Sequence, residues 1–127
     1  VLFSGDLILG EGTVNITPPG GSMTDYLRSL ERVARLRLAL IAPGHGPLVR
    51  TPHQRIGEYL AHRRRREQQV LEVLERGPQT VESLATAIYR DLDPRLRRAA
   101  EGTVAAHLGK LVNEGRVRQI GTSFARL

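Results

Sequence analysis

At 127 residues the chain has room for one modest domain or two very small ones. Apolar residues make up 40% and charged residues 25%, as in a folded soluble protein, but aromatics reach only 4%, so aliphatic packing must build the core. There is no cysteine, which excludes a disulfide framework, a zinc finger and a thiol nucleophile. No apolar run approaches the roughly 20 residues of a membrane span. The N-terminal Val1-Leu-Phe-Ser-Gly-Asp6 has no basic n-region and is not expected to be a signal peptide. A cytoplasmic protein without a membrane partner is the expectation.

The net charge of +6 is unevenly placed. Residues 1–49 balance Arg28, Arg32, Arg35 and Arg37 against Asp6, Glu11, Asp25 and Glu31, so the whole excess lies in residues 50–127. Such asymmetry points to two units with different tasks, the second able to attract an anionic partner.

In chain order, Val1–Phe3 and Leu7–Leu9 are apolar segments flanking Ser4-Gly5-Asp6, which predicts a strand end and its turn. Glu11–Gly21 is rich in Gly and Pro and reads as a loop. A helix is predicted from near Ser22, where Ser22-Met-Thr-Asp25 resembles a capping box with Asp in place of Glu. Tyr26, Leu27, Leu30, Val33 and Ala34 follow on one face, with Arg28, Arg32 and Arg35 opposite. The continuous run Leu38–Ala42 predicts a strand buried on both faces, ending in Gly44-His45-Gly46 between Pro43 and Pro47.

A long helix is predicted over Pro52–Arg76, with Ile56 and Leu60 at its start and Val70, Leu71, Val73 and Leu74 near its end. Ala61–Gln69 between them has no large apolar side chain, which predicts a connector docked at both ends and wet in the middle. Gly77-Pro78 stops it. Thr80 then caps a short helix whose Val81, Leu84, Ala85 and Ile88 face inward. After the turn Arg90–Pro94, a third helix is predicted to Glu114, with Leu96, Val104, Leu108, Leu111 and Val112 inward and Gly115 at C′. Its outward positions then include Arg97, Arg98, Thr103, Ala106 and Lys110, with His107 at or half below the surface. Arg116–Ile120 and Phe124–Leu127 form a hairpin around Gly121-Thr-Ser123. Three helices and a hairpin describe a winged helix. The predicted division is 1–51, a connecting helix 52–76, and a winged helix 77–127 whose first helix comes from about 66–76.

Three stretches, in this order and with a winged-helix pattern behind them, carry a family resemblance: Leu2-Phe-Ser-Gly-Asp-Leu-Ile-Leu-Gly-Glu-Gly12, Pro43-Gly-His-Gly-Pro47, and Tyr59-Leu-Ala-His-Arg63 with Arg66-Glu-Gln-Gln69. They resemble the beta-lactamase-like protein 2 family, metallo-β-lactamase-fold hydrolases with a C-terminal winged helix. The resemblance implies an α+β fold: the C-terminal part of an αββα sandwich followed by the winged helix. It also implies two zinc ions per complete site and hydrolysis of an ester or phosphodiester bond, single-stranded RNA and small esters being the candidate substrates. Animal members act as endoribonucleases.

Residue by residue, Asp6 matches the carboxylate that bridges both metals, and His45 the imidazole that completes the shell of one. A turn-forming Asp and a loop His bonded to backbone are the plain alternatives. The family's His-x-His-x-Asp-His motif is not among these residues. A catalytic zinc takes three protein ligands and an open position, so the chain by itself is expected neither to hold zinc tightly nor to turn over substrate. The missing N-terminal half of the fold, or a second copy of the chain, is the expected partner, covering Val1–Phe3 and Leu38–Ile41.

The resemblance turns His62, Arg63 and Tyr26 toward the substrate cleft, and Arg66 toward a scissile phosphate through its planar fork. The alternatives are domain-to-domain contacts for the first two and Arg66, and core packing for Tyr26. The competing function is a winged-helix nucleic-acid-binding or regulatory module with a non-catalytic front half, with Arg116 and Arg118 on phosphates.

Overall fold

The computed structural model describes all 127 residues, which fall into two compact units: Val1–Val14 with Thr24–Arg63, and Asn15–Met23 with Arg64–Leu127.

In the first unit, β1 (Leu2–Gly5) pairs in parallel with β2 (Ile41–Pro43), Leu2 opposite Ile41 and Phe3 opposite Ala42. Parallel neighbours need a crossover, and α1 (Met23–Ala34) lies on it. Asp25 in the first turn and Arg32 in the last suit the helix dipole. The predicted strand over Leu38–Ala42 shrinks to three residues: Leu38 and Leu40 are half-buried, Ala39 is exposed, and only Ile41 is fully buried. The reason is the shortage of ladder partners, since β1 offers only Leu2–Gly5 on one side and Val49 exchanges two bonds with Ile41 on the other. Ile41 therefore needs no second chain to cover it, contrary to expectation. Val1 and Phe3, by contrast, are 71% and 83% exposed. Leu7–Leu9 is a turn rather than a strand, closed by the Leu7 amide on Ser4 and the Ser4 hydroxyl on the Ile8 carbonyl.

Helix α2 (Pro52–Leu74) starts with Pro at its first position, where no amide partner is lost. Its middle is wet on one side only, where Ala61, Arg64, Arg65 and Gln68 are exposed. Arg63 and Glu67 are both buried, each charge with a partner: Arg63 within the first unit and Glu67 within the second.

In the second unit, Val70, Leu71 and Leu74 of α2 pack with Leu84 and Ala85 of α3 (Val81–Ile88), with Val104, Leu108 and Leu111 of α4 (Arg97–Asn113), and with Val117. The Thr80 hydroxyl accepts from the Ser83 amide at 3.2 Å, the predicted cap. Strand β3 (Gln79–Thr80) has no counterpart in the sequence reading, because two residues carry no alternation to read. It joins β4 (Val117–Ile120) and β5 (Ser123–Arg126) in the order β3-β5-β4. Glu67 meets Lys110 at 2.7 Å, and Glu114 meets the same ammonium at 3.0 Å. Burial pushes the Lys110 pKa down, but the two carboxylates together hold it above its usual value.

Two expectations for the third helix fail. Pro94–Leu96 form a separate 3₁₀ turn, which leaves Leu96 54% exposed. Thr103, Ala106 and His107, expected at or near the surface, are buried, His107 at 1%. Helix α4 is covered on more than one side: α3 and β4 pack on it, and Thr17 lies so close to Gly102 that a Cβ there would sit 2.7 Å from the threonine methyl.

Candidate metal centre

β1 and β2 end side by side, and each delivers one chemically active side chain into the turn that follows. Gly5, at φ +54°, reverses the chain after β1 and presents Asp6. Pro43 ends β2 and presents His45 two residues on. The two turns clasp each other through backbone bonds, the Gly44 amide donating to Gly5 O at 2.7 Å and the Gly10 amide to His45 O at 3.0 Å. Side chains are excluded at this contact: a Cβ on Gly10 would lie 2.4 Å from both the nitrogen and the oxygen of Pro47. Gly46 adopts φ +87°, a conformation that suits glycine.

The clasp brings Asp6 Oδ1 to 2.8 Å from His45 Nδ1, across 39 residues of sequence. Both side chains stay open to solvent, 66% and 79% exposed respectively. With Nδ1–H donating to the carboxylate, the Nε2 lone pair is left available, the arrangement used by metal-binding imidazoles with a carboxylate neighbour.

Behind the turn, the chain from Leu7 to Val14 has no regular structure, so its polar groups must find other partners. They find them on α1 and α2. The Tyr26 hydroxyl donates to Leu7 O at 3.0 Å. The Leu9 amide donates to the Tyr59 hydroxyl at 3.0 Å, which in turn donates to Gly12 O at 2.7 Å. Arg55 reaches the carbonyls of Leu9 and Gly12, and Arg63 that of Val14. Each of these arginines also covers a ring, Arg55 over Tyr59 at 5.0 Å and Arg63 over Tyr26 at 5.2 Å. Burial pushes the Tyr26 phenol up to about 12, an effect the neighbouring Arg63 charge partly offsets.

The residues singled out in the sequence therefore fare differently. Asp6 and His45 meet. Tyr26 and Arg63 meet each other and are buried, 8% and 2% exposed, with their polar ends on the backbone of the Asp6 loop. His62 is half-buried on α2. Arg66 belongs to the second unit, where it bonds Gln69 at 2.9 Å and lies over Tyr89 at 4.5 Å. The sequence reading missed Arg55 and Tyr59 as loop-holding residues. The signal was present: Arg55, Tyr59 and Arg63 recur every four residues, one face of α2.

A metal's fit to this site is partial. Asp6 and His45 are suitable donors at adjacent positions, but no group of three or more His, Cys, Asp or Glu side chains gathers anywhere in the chain.

Residues 80–126 match the Beta-lactamase associated winged helix domain. The chain is 36% identical over 120 residues to a beta-lactamase-like protein 2 homolog of Drosophila melanogaster, covering 92% of this chain and 40% of that protein. It is likewise 36% identical over 115 residues to a Caenorhabditis elegans homolog, covering 90% and 38%. Among solved structures, a metallo-beta-lactamase family protein from Thermus thermophilus superposes with a TM-score of 0.83 at 29% identity, covering 98% of this chain and 41% of that one. The chain thus spans about two fifths of the length of the curated relatives it matches. The fold is that of the matching two fifths of a metallo-beta-lactamase family protein, with a winged helix over residues 80–126. Within that class the chain is similar, over nine tenths of its length, to proteins of the beta-lactamase-like protein 2 type.

No helix is long and apolar enough to cross a membrane.

Proposed function

We propose that this chain supplies the Asp6 carboxylate and the His45 imidazole to a dinuclear zinc centre in a hydrolase that cleaves a phosphodiester or carboxylic ester, single-stranded RNA and small esters being the candidate substrates. One observation carries the reading: two donors of the right chemistry, 39 residues apart, are held 2.8 Å from each other on an open face by a backbone clasp. Asp6 would bridge the two ions through its carboxylate, and His45 would bind one of them through Nε2. Zinc, when bound, supplies polarisation of the scissile ester and a nucleophile at neutral pH. The remaining ligands come from chain outside these 127 residues or from a second copy, because two protein donors fall short of the three that one catalytic zinc takes.

The protein's own contribution is positional. Tyr26, Arg55, Tyr59 and Arg63 fix the Leu7–Val14 loop and so fix the carboxylate at its start. Arg63 acts through the loop backbone, with its guanidinium shielded from solvent. The completing chain would cover Val1 and Phe3, both of which are exposed.

The test measures zinc content and cleavage of a single-stranded RNA and of a simple aryl ester. It compares the 127-residue chain, a longer form containing the His-x-His-x-Asp-His motif, and that longer form with Asp6→Asn or His45→Gln. Two zinc ions and turnover in the longer form alone, both lost in the variants, are expected. Undiminished zinc content in Asp6→Asn and His45→Gln would sink the reading.

A further inference from the structure

The second unit holds a cavity of about 160 Å³ that the metal reading does not use. It lies where α3 gives way to α4. Buried Ala85 and Ala100 and the half-buried Tyr89 give it an apolar part, and exposed Arg90, Asp91 and Arg97 give it a charged one.

Three features set this cavity apart from an ordinary surface dimple. Arg90 and Arg97 form no ion pair within the chain, whereas nearby Arg95 is tied to Asp93 at 2.7 Å. Asp91, which follows Arg90 and precedes Arg97 in the chain, is the one non-glycine residue at positive φ, +56°; Asp tolerates that conformation at a cost that longer side chains bear poorly. Tyr89 is not a loose ring, since the Arg66 guanidinium lies over it at 4.5 Å and adds positive charge to that wall.

We propose that this cavity takes a phosphorylated ribonucleoside unit, its phosphate between Arg90 and Arg97 and its ring system against Tyr89 and the two alanines. Guanidinium groups match phosphate oxygens in pairs, with directed charge-assisted bonds. A carboxylate accepts hydrogen bonds but donates none, so Asp91 selects a hydroxyl or amino group on the same ligand, as a ribose 2′-OH provides. The space exceeds the roughly 30 Å³ of one water several-fold, enough for a phosphate and part of a nucleoside but not for a duplex. Splayed single-stranded RNA is recognised in this manner, by ring stacking, phosphate contacts and the 2′-OH together. The proposal rests on the phosphodiester form of the function above but on none of its residues.

The experiment uses the intact 127-residue chain with uridine 5′-monophosphate, a ten-nucleotide oligo(U) and the matching oligo(dT). Amide NMR locates binding and fluorescence anisotropy measures affinity. Oligo(U) is expected to shift resonances of residues 85–100. An Arg90→Ala/Arg97→Ala variant should bind it at least tenfold more weakly while melting as the parent does. Asp91→Asn keeps a residue that tolerates positive φ and should shrink the preference for oligo(U) over oligo(dT). Matching shifts with the mononucleotide identify a free nucleotide as a ligand, and shifts with the oligomer alone identify RNA. Unchanged affinity in the double variant, equal affinity for the deoxy oligomer, or no shift at 85–100 with either ribonucleotide probe overturns the proposal. None of these readouts needs zinc or turnover, so failure here and failure of the metal reading are separately visible.

Discussion

Replacing Tyr59 by Phe removes one oxygen atom from the centre of the network behind Asp6. The ring stays, and with it the buried packing at 1% exposure. Two bonds go: the one the hydroxyl accepts from the Leu9 amide at 3.0 Å and the one it donates to Gly12 O at 2.7 Å. The consequences differ. Gly12 O keeps the Arg55 guanidinium at 3.0 Å and remains satisfied, whereas the Leu9 amide loses its recorded acceptor. An orphaned donor costs about 1–3 kcal/mol when fully buried. Leu9 is half-buried, so a water can partly replace the phenol and the lower half of that range applies, about 1–2 kcal/mol. With urea slopes of about 1–3 kcal/mol per molar, the midpoint of the first unit should fall by about 0.3–2 M. Hydrogen exchange at the Leu9 amide should quicken by a similar free energy. A midpoint within about 0.2 M of the parent, with Leu9 exchange unchanged, would refute the idea that Tyr59 holds the Asp6 loop.

The clasp itself predicts that Gly10→Ala destabilises by at least about 2 kcal/mol, combining backbone overpacking against Pro47 with the weakened Gly10-to-His45 bond; thermal melting that matches the parent would contradict it. Asp6→Asn and His45→Gln should leave the melting profile unchanged, because an exposed pair contributes only about 0–1 kcal/mol; a large loss in either would mean the pair is structural. Alkaline titration supplies another check. The Tyr26 pKa, pushed up to about 12, lies above its unfolded value near 10. Its contribution to stability is therefore intact below about pH 10 and lost as pH rises toward 12, the unfolded chain losing the proton first. Tyrosinate absorbance should show Tyr26→Phe removing a component that titrates near pH 12. If that component survives in Tyr26→Phe, the assignment fails.

The sequence makes some features legible and hides others for definite physical reasons. Gly5-Asp6 and Gly44-His45-Gly46 are visible because a turn at the end of an apolar run leaves a signature of glycine beside one polar residue, and the structure does join them. The winged helix is visible because Leu84, Val104, Leu108 and Leu111 repeat at helical spacing and Thr80 and Gly115 mark helix ends. Burial of Arg63 and Glu67 is hidden. A charged residue reads as solvent-facing until its partner is known, and those partners lie 49 and 43 residues away. His107 is hidden for a related reason: periodicity finds the main apolar face of α4 but not the further coverage that α3, β4 and the segment around Thr17 together provide. The strand over Leu38–Ala42 is overestimated because an apolar run cannot report how many ladder partners await it.

The division of labour around Asp6 follows from where free energy can be gained. A carboxylate and an imidazole that are to meet a metal must stay open, and open ion pairs stabilise little. The geometry therefore has to come from groups that can be buried, and here these are backbone amides packed glycine against proline, and phenols and guanidinia that double as carbonyl partners. Three arginines of α2 each lie over one of the three tyrosines of the chain, Arg55, Arg63 and Arg66 over Tyr59, Tyr26 and Tyr89. The long apolar stems of these arginines pack while the planar heads bond, which compensates for a core almost without phenylalanine or tryptophan. Lysine could supply the charge but neither the stack nor the fork. The arginine-rich face of α2 is thus structural where Arg55, Arg63 and Arg66 meet its neighbours, while Arg64 and Arg65 stay exposed.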